Sequence, residues 1–128
     1  MTNNNLHFPK YLMFGFVLIL LSILIDALAS HDPIYTESLT SLQLATKYQL
    51  FTGLFLLLVA WNQIYNIGLA LITFGVLIFS LSIESNIILG TNLSFITPLG
   101  GAIMILGWLI FIYCYFNDTQ SKTSDQSE

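Results

Sequence analysis

Four long apolar stretches, separated by short polar segments, constrain the fold of this chain more than any other feature of its sequence. They cover approximately residues 11–29, 38–62, 64–83 and 95–116. A helix needs about 20 mostly apolar residues to cross the hydrocarbon core of a bilayer, because each residue adds about 1.5 Å. The sequence therefore predicts an all-α membrane protein, a bundle of four transmembrane helices with up-down topology.

The composition supports this class and excludes several functions. The chain is 55% hydrophobic and 8% charged, with a net charge of -4 and no arginine. Nucleic acid is not an expected partner, because phosphate binding depends on clustered lysine or arginine. Cys114 is the single cysteine, so one chain forms neither a disulfide framework nor a thiol-pair redox relay. The lipid bilayer is the expected surrounding.

The pattern predicts three segments along the chain. Residues 1–9 and 117–128 lack apolar periodicity and are predicted to be disordered tails, and residues 10–116 form the transmembrane domain. Few polar residues separate the second and third spans, which predicts a tight antiparallel hairpin between them. The fourth span has Thr97 as a candidate N-cap and Pro98 in its first turn.

The first span has an alternative interpretation. Lys10, the apolar run and the small residues of Ala27-Leu28-Ala29 are similar to a secretory signal with its cleavage site. The run is long for a signal and three further spans follow it, so an uncleaved first helix is the simpler interpretation. Lys10 and Lys122 flank the bundle on one side, and the positive-inside rule then predicts that both termini are cytoplasmic.

Small residues recur every seven positions in each span. The four sets are Gly15, Ser22 and Ala29; Thr46, Gly53 and Ala60; Gly68, Gly75 and Ser82; and Gly100, Gly107 and Cys114. Helices in lipid have little hydrophobic drive to associate, so close approach through small residues and polar contacts holds them together. The repeat therefore predicts a narrow packing seam on each helix.

Asp26 is the first candidate functional residue, because a carboxylate inside a membrane span costs a few kcal/mol and marks a functional site by default. Ser22 and Ser30 lie four residues to either side of it, and Ala29 joins this polar stripe to the seam. We therefore expect Asp26 to face protein. Two interpretations are open: a proton-binding carboxyl, or a hydrated or paired group that marks the end of the helix.

The other polar candidates have plainer interpretations. Glu84 lies nearly opposite the seam of the third helix and is expected to mark the membrane interface. His31 could bind a metal with Asp32 and Glu37, but no ligand spacing on a regular element supports it. No nucleophile-base pair or phosphate-binding loop is present, so neither an enzyme, a metal nor a cofactor is predicted. Trp108 is expected to pack against lipid or the bundle core.

Several short motifs are similar to those of one family of small four-helix membrane proteins. They are Thr97-Pro98-Leu99-Gly100-Gly101 with Gly107-Trp108, Phe79-Ser80-Leu81-Ser82, Tyr48-Gln49-Leu50-Phe51-Thr52, and Asp26-Ala27-Leu28-Ala29-Ser30-His31. On these residues the chain resembles the family called domain of unknown function 423, which includes transmembrane protein 256-like proteins. The resemblance covers nearly everything between the tails and implies a bacterial inner-membrane protein without an established activity.

The chain departs from this family pattern at four positions. Thr52 stands where the family commonly has histidine, Leu81 and Asp26 where it has glycine, and Glu84 where it has tyrosine. Any role built on a histidine in the second helix is therefore in doubt for this chain. His31 does match the pattern, which raises its interest without assigning it a role.

Two functions follow as expectations. The leading one is a non-enzymatic small membrane protein that acts by associating with itself or with a larger membrane complex. The alternative is a small proton-coupled transporter, in which two chains bring their Asp26 carboxyls to a shared cavity. This alternative rests on analogy between folds alone.

Overall fold

The computed structural model describes residues 7–31 and 38–125, and all regular structure within them is helical. The four helices are α1 (His7–His31), α2 (Leu39–Trp61), α3 (Ile67–Ile88) and α4 (Thr97–Asp125). Each is long and apolar enough to cross a membrane. The predicted class, an all-α protein with four membrane-spanning helices, is confirmed.

The ends of the bundle differ from the prediction. α1 begins at His7 and α4 continues to Asp125, so the predicted disorder of residues 7–9 and 117–125 is corrected to helix. The extension of α4 has a physical reason, since residues 117–125 contain neither glycine nor proline. The Thr119 hydroxyl also donates to the Tyr115 carbonyl at 2.8 Å, one turn back along the same helix.

Local hydrogen bonds set where α2 ends and α3 begins. Gln63 has a φ of 55°, and its N–H donates to Ala60 while the next N–H, of Ile64, donates to Val59, both at 3.1 Å. These two bonds form a Schellman motif, which usually has glycine in the left-handed position. Asn66 then caps α3, because its side-chain oxygen accepts from the Leu69 N–H at 3.2 Å.

The helices associate as two closely packed pairs. α1 packs along α2, and α3 packs along α4, whereas α2 and α3 contact each other less extensively. Residues 62–66 connect α2 to α3, and the tight hairpin expected there stays a prediction. α2 and α3 each have neighbours on two sides, so they are the inner helices of the bundle, and they bury a larger share of their residues than α1 and α4 do.

The predicted small-residue seam lies inside these two pairs. All its residues are buried except Cys114, which is half-buried. A Cβ on Gly15 would come within 2.9 Å of the Gly53 carbonyl oxygen in the α1–α2 pair, and one on Gly75 within 2.5 Å of the Met104 backbone nitrogen in the α3–α4 pair. Real side chains do not make such contacts, so the seam is confirmed as the place of closest backbone approach.

Among the residues that the structure describes, two apolar clusters form the core. The larger one draws on all four helices and contains Leu18, Leu56, Val59, Leu69, Ile72, Val76, Met104 and Phe111. The smaller one contains Ile25, Ala29 and Leu42, with Ile87 packed against it. Along each of the first three helices the residues between the two clusters include polar ones, and these form the candidate site described below.

Alanine substitutions at glycine test the close packing. Gly75→Ala and Gly107→Ala should each destabilise the protein by roughly 1–3 kcal/mol, the usual cost of overpacking, because the added Cβ would lie 2.5 Å from Met104 and 2.6 Å from Ile72 backbone nitrogens. The measurement is the thermal unfolding midpoint in detergent.

Gly101→Ala is the matched control. It lies in the same helix, and its Cβ would meet only the Phe79 ring, at 3.7 Å, so its midpoint should not fall. Equal midpoints for Gly75→Ala, Gly107→Ala and Gly101→Ala would contradict close packing at the seam.

Candidate functional site

A layer of buried polar side chains lies between the two apolar clusters. We define this polar layer by Ser22 of α1, Thr46 and Gln49 of α2, and Ser80 and Glu84 of α3, all of which are buried. Gln49 lies about 15 Å along α2 from its start, at 1.5 Å per residue. Gln49 is therefore near the middle of α2, a helix long and apolar enough to cross a membrane, where strongly polar residues are rare and usually functional.

Gln49 and Glu84 are the central pair of the polar layer. The Gln49 Nε2 donates to the Glu84 Oε1 at 2.5 Å, and the two residues are 0% and 5% exposed. Side chains on a helix lean toward its N-terminus. Because α2 and α3 run in opposite directions, the Gln49 and Glu84 side chains lean in opposite directions along the bundle, and their ends meet at the same level. The carbonyl oxygen of the same carboxamide, Gln49 Oε1, is buried and has no hydrogen-bond partner.

Two further bonds of the polar layer connect helices through backbone carbonyls, whereas the Thr46 hydroxyl donates to the Gln43 carbonyl within α2 at 3.1 Å. The Ser22 hydroxyl donates to the Thr46 carbonyl across the α1–α2 pair at 3.0 Å. The Ser80 hydroxyl donates to the Ala45 carbonyl across the α2–α3 contact at 3.3 Å. The bonds of Ser22 and Ser80 satisfy buried hydroxyl groups and connect α1, α2 and α3 to one another.

Glu84 was expected to mark the membrane interface and not to be a core acid, but its side chain is buried inside the bundle. The expectation followed from its position opposite the seam of α3. The seam faces α4, but α3 also has α2 as a neighbour, so the face opposite the seam is buried as well. An inner helix has two buried faces, which puts the carboxyl of Glu84 against Gln49.

Asp26 was expected to face protein, and the structure corrects this too. Its side chain is exposed, while Ser22 and Ala29 on either side of it are buried. α1 is an outer helix with its extensive packing against α2 alone, so one face of it is buried and Asp26 lies beside that face. The Ser30 hydroxyl donates to the backbone carbonyl of Asp26 at 2.7 Å, so it satisfies a main-chain group.

Asp26 lines an open groove between α1 and α2. We call this the α1–α2 groove; its volume is 470 Å³, and its lining includes Ser22, Asp26, Gln43, Thr46 and Lys47. The side chains of Asp26, Gln43 and Lys47 are exposed there. The groove thus has a carboxyl, a carboxamide and an amine on the outer surface of two membrane-spanning helices.

Three residues of the family motif in α4, Thr97, Gly100 and Gly107, contact α3. The Thr97 hydroxyl lies 2.6 Å from that of Ser82 on α3, so it bonds across the α3–α4 pair; Thr97 is the first helical residue of α4 and not its N-cap. Gly100 and Gly107 lie in the seam, where a Cβ on each would clash with the backbones of Phe79 and Ile72 respectively.

The other candidates are less closely packed. Pro98 is exposed and Gly101 is half-buried. The Trp108 ring packs against Phe55 of α2, with 4.5 Å between ring centroids, which agrees with the expected core contact. His31 is exposed at the end of α1, and its suggested metal partners Asp32 and Glu37 lie outside the described residues. Within residues 7–31 and 38–125, no three His, Cys, Asp or Glu side chains come together as a metal site.

Gln49 is the residue that the sequence analysis passed over. It appeared only within a family motif, although a carboxamide in the middle of a membrane span is as unusual as a carboxylate near its end. The available signal was that Gln49 and Glu84 are strongly polar residues on two consecutive spans. In lipid such residues seek a partner on a neighbouring helix.

Four membrane-spanning helices, small-residue seams and a buried polar layer define a small multi-pass membrane protein. The family described as "protein of unknown function (DUF423)" matches residues 25–101, which is more than half of the chain and includes both Gln49 and Glu84. The chain belongs to this family, as its motifs had indicated. No curated protein and no solved structure gives a significant match.

A double-mutant cycle tests the pair at the centre of the polar layer. Gln49→Leu removes the donor to Glu84 and should destabilise the protein by roughly 1–2 kcal/mol, the scale of a strong hydrogen bond between membrane helices. Gln49→Leu/Glu84→Leu should recover part of this loss, because no buried polar group is then left without a partner. The measurement is the free energy of unfolding in mixed micelles.

Ser30→Ala is a suitable reference for this cycle, since the Ser30 hydroxyl bonds within its own helix and its loss should change stability little. If the effects of Gln49→Leu and Glu84→Leu simply add, the two side chains do not interact and the pair is refuted.

Proposed function

We propose that this protein is a non-enzymatic membrane protein that acts by association inside the bilayer, with a second copy of itself or with a larger membrane complex. The α1–α2 groove is the observation that supports this proposal. It is the place where charged and strongly polar side chains within the membrane spans, Asp26, Gln43 and Lys47, lie exposed on the surface.

The cost of exposing these groups to lipid is the physical reason. Charged residues within membrane spans almost always face protein or water, because a lipid-exposed charge costs a few kcal/mol. A helix of a partner molecule that lies in the α1–α2 groove would cover Asp26 and Lys47 and give them hydrogen-bond partners. Association at this groove would thereby remove the cost.

The outer face of α4 provides a contrast. Its exposed large side chains within the predicted fourth span are apolar or aromatic; they include Leu99, Ile105, Leu106, Leu109 and Ile112. Such a face is suited to lipid chains without further partners. The difference between the two faces supports α1 and α2 as the association surface.

The polar layer supports a structural role for the interior as well. Its serine hydroxyls and the Gln49 carboxamide N–H bond to neighbouring helices, so they hold the bundle together. We further propose that the protein resides in a bacterial inner membrane with both termini cytoplasmic. Lys10 and Lys122 are exposed near the ends of α1 and α4 on one side of the bundle, where the positive-inside rule puts cytoplasmic residues.

Cysteine crosslinking in native membranes tests the association surface. In a Cys114→Ala background, cysteine at Gln43 should form crosslinks to a second copy or to a partner protein, because the groove would be covered. Cysteine at Leu109 is the matched control; its side chain is 62% exposed on the outer face of α4, and it should crosslink much less. Bands on denaturing gels, identified by mass spectrometry, distinguish a second copy from another protein.

Equal crosslinking at Gln43 and Leu109, or a lone monomer from both, would contradict association through the α1–α2 groove. Asp26→Asn and Lys47→Leu, each combined with the cysteine at Gln43, separate the roles of the two charges. If the α1–α2 groove is the interface, each substitution should lower the yield of crosslinked product from that cysteine.

The alternative, a small proton-coupled transporter, uses the same groove. Asp26 lies on the surface of one chain, so pairing of two chains at the α1–α2 groove would bring two Asp26 carboxyls into a shared cavity. In that case Asp26→Asn should abolish substrate-coupled proton uptake into proteoliposomes, measured with a pH-sensitive dye. Unchanged uptake with Asp26→Asn would eliminate this alternative and leave association unaffected.

A further inference from the structure

The central pair of the polar layer leaves one hydrogen-bonding atom without a partner. Gln49 Oε1 has no donor, although the residue is 0% exposed. Buried polar atoms in native proteins are nearly always hydrogen-bonded, so each exception requires an explanation. An ionised carboxylate only accepts hydrogen bonds, so an ionised Glu84 cannot donate a hydrogen bond to Gln49 Oε1.

The charged groups around Glu84 do not provide a counter-ion. Lys47 of α2 is exposed in the α1–α2 groove, away from the buried face that Glu84 contacts, and Asp26 and His31 of α1 are exposed too. α4 contains no Asp, Glu, Lys, Arg or His within residues 97–116. Over the part of the chain that the structure describes, the Glu84 carboxyl accepts a hydrogen bond from the Gln49 carboxamide N–H.

The surroundings are apolar on both sides of the pair. The large apolar cluster lies toward one end of the bundle and the small one, with Ile87 one turn beyond Glu84, toward the other. Burying a carboxylate without a cation in such surroundings is very costly, whereas burying a neutral polar group costs little once it is hydrogen-bonded.

We propose that Glu84 and Gln49 form a proton-binding site inside the membrane. Glu84 carries a proton there and donates its O–H to Gln49 Oε1, while Gln49 Nε2 donates to the other carboxyl oxygen. A carboxylic acid and a carboxamide are complementary in this way, since each supplies one donor and one acceptor. The proton thereby gives the orphaned Oε1 its partner and removes the buried charge.

This site is separate from the α1–α2 groove and does not rest on the proposed association. Glu84 lies between α2 and α3, whereas Asp26 lies on the exposed surface of α1. A sodium ion is the other monovalent cation that carboxylate and carboxamide oxygens would accept, and the experiment below distinguishes it from a proton.

Labelling with dicyclohexylcarbodiimide tests the site in the full-length protein in liposomes. This apolar reagent reacts with protonated carboxyl groups inside membranes and leaves a stable adduct, which mass spectrometry locates. We expect an adduct at Glu84 that is lost in Glu84→Gln, persists in Asp26→Asn, and forms equally with or without sodium chloride. No adduct at Glu84, or protection of Glu84 by sodium, would overturn the proposal.

Infrared spectroscopy gives a second measurement that does not depend on access of the reagent. The wild-type protein should show the C=O stretch of a protonated carboxylic acid, and Glu84→Gln, which preserves the shape of the side chain, should lose it. Gln49→Leu should move this band to higher wavenumber, because the carbonyl loses its hydrogen bond. A spectrum without a band sensitive to Glu84→Gln would show an ionised carboxylate and refute the site.

Discussion

The close approach of helix backbones at small residues is the interaction on which the rest of this structure depends. Lipid chains are as apolar as leucine, so burying leucine between helices provides little drive for association in a membrane. Gly15 against Gly53 and Gly75 against Met104 instead bring whole backbones together, where dispersion contacts add up over many atoms. These contacts make two helix pairs, and the pairs decide which side chains are buried.

The polar layer follows from the way the two pairs meet. α2 contacts α3 less extensively than it contacts α1, and α3 contacts α2 less extensively than it contacts α4. At the α2–α3 contact, hydrogen bonds from polar side chains stabilise the association in place of close backbone packing. Gln49, Glu84 and Ser80 bond across it, in surroundings where the alternative is a polar group facing hydrocarbon. The same interface therefore contains the groups that stabilise the bundle and a carboxyl with chemistry of its own.

Much of the fold was predictable, but only part of the candidate site. Length and apolar character gave the four spans, and the seven-residue spacing of small residues gave the faces of closest approach. Asp26 and Glu84 were both recognised as acids within or near spans, yet their environments were assigned the wrong way round. Gln49 was not weighed as a site residue. The helical tails at residues 7–9 and 117–125 were missed because a membrane helix continues into water until a residue stops it.

The sequence by itself determined the number of spans, the membrane setting, the family and the seam, because these depend on local composition and on which residues share a helix face. The tertiary structure alone decided how many faces of each helix are covered. Opposite faces of α3 are buried because it has two neighbours, whereas α1 packs mainly on one. Lipid-facing and core-facing positions are equally apolar in a membrane, so the pattern of hydrophobic residues could not reveal that Glu84 is inside and Asp26 outside.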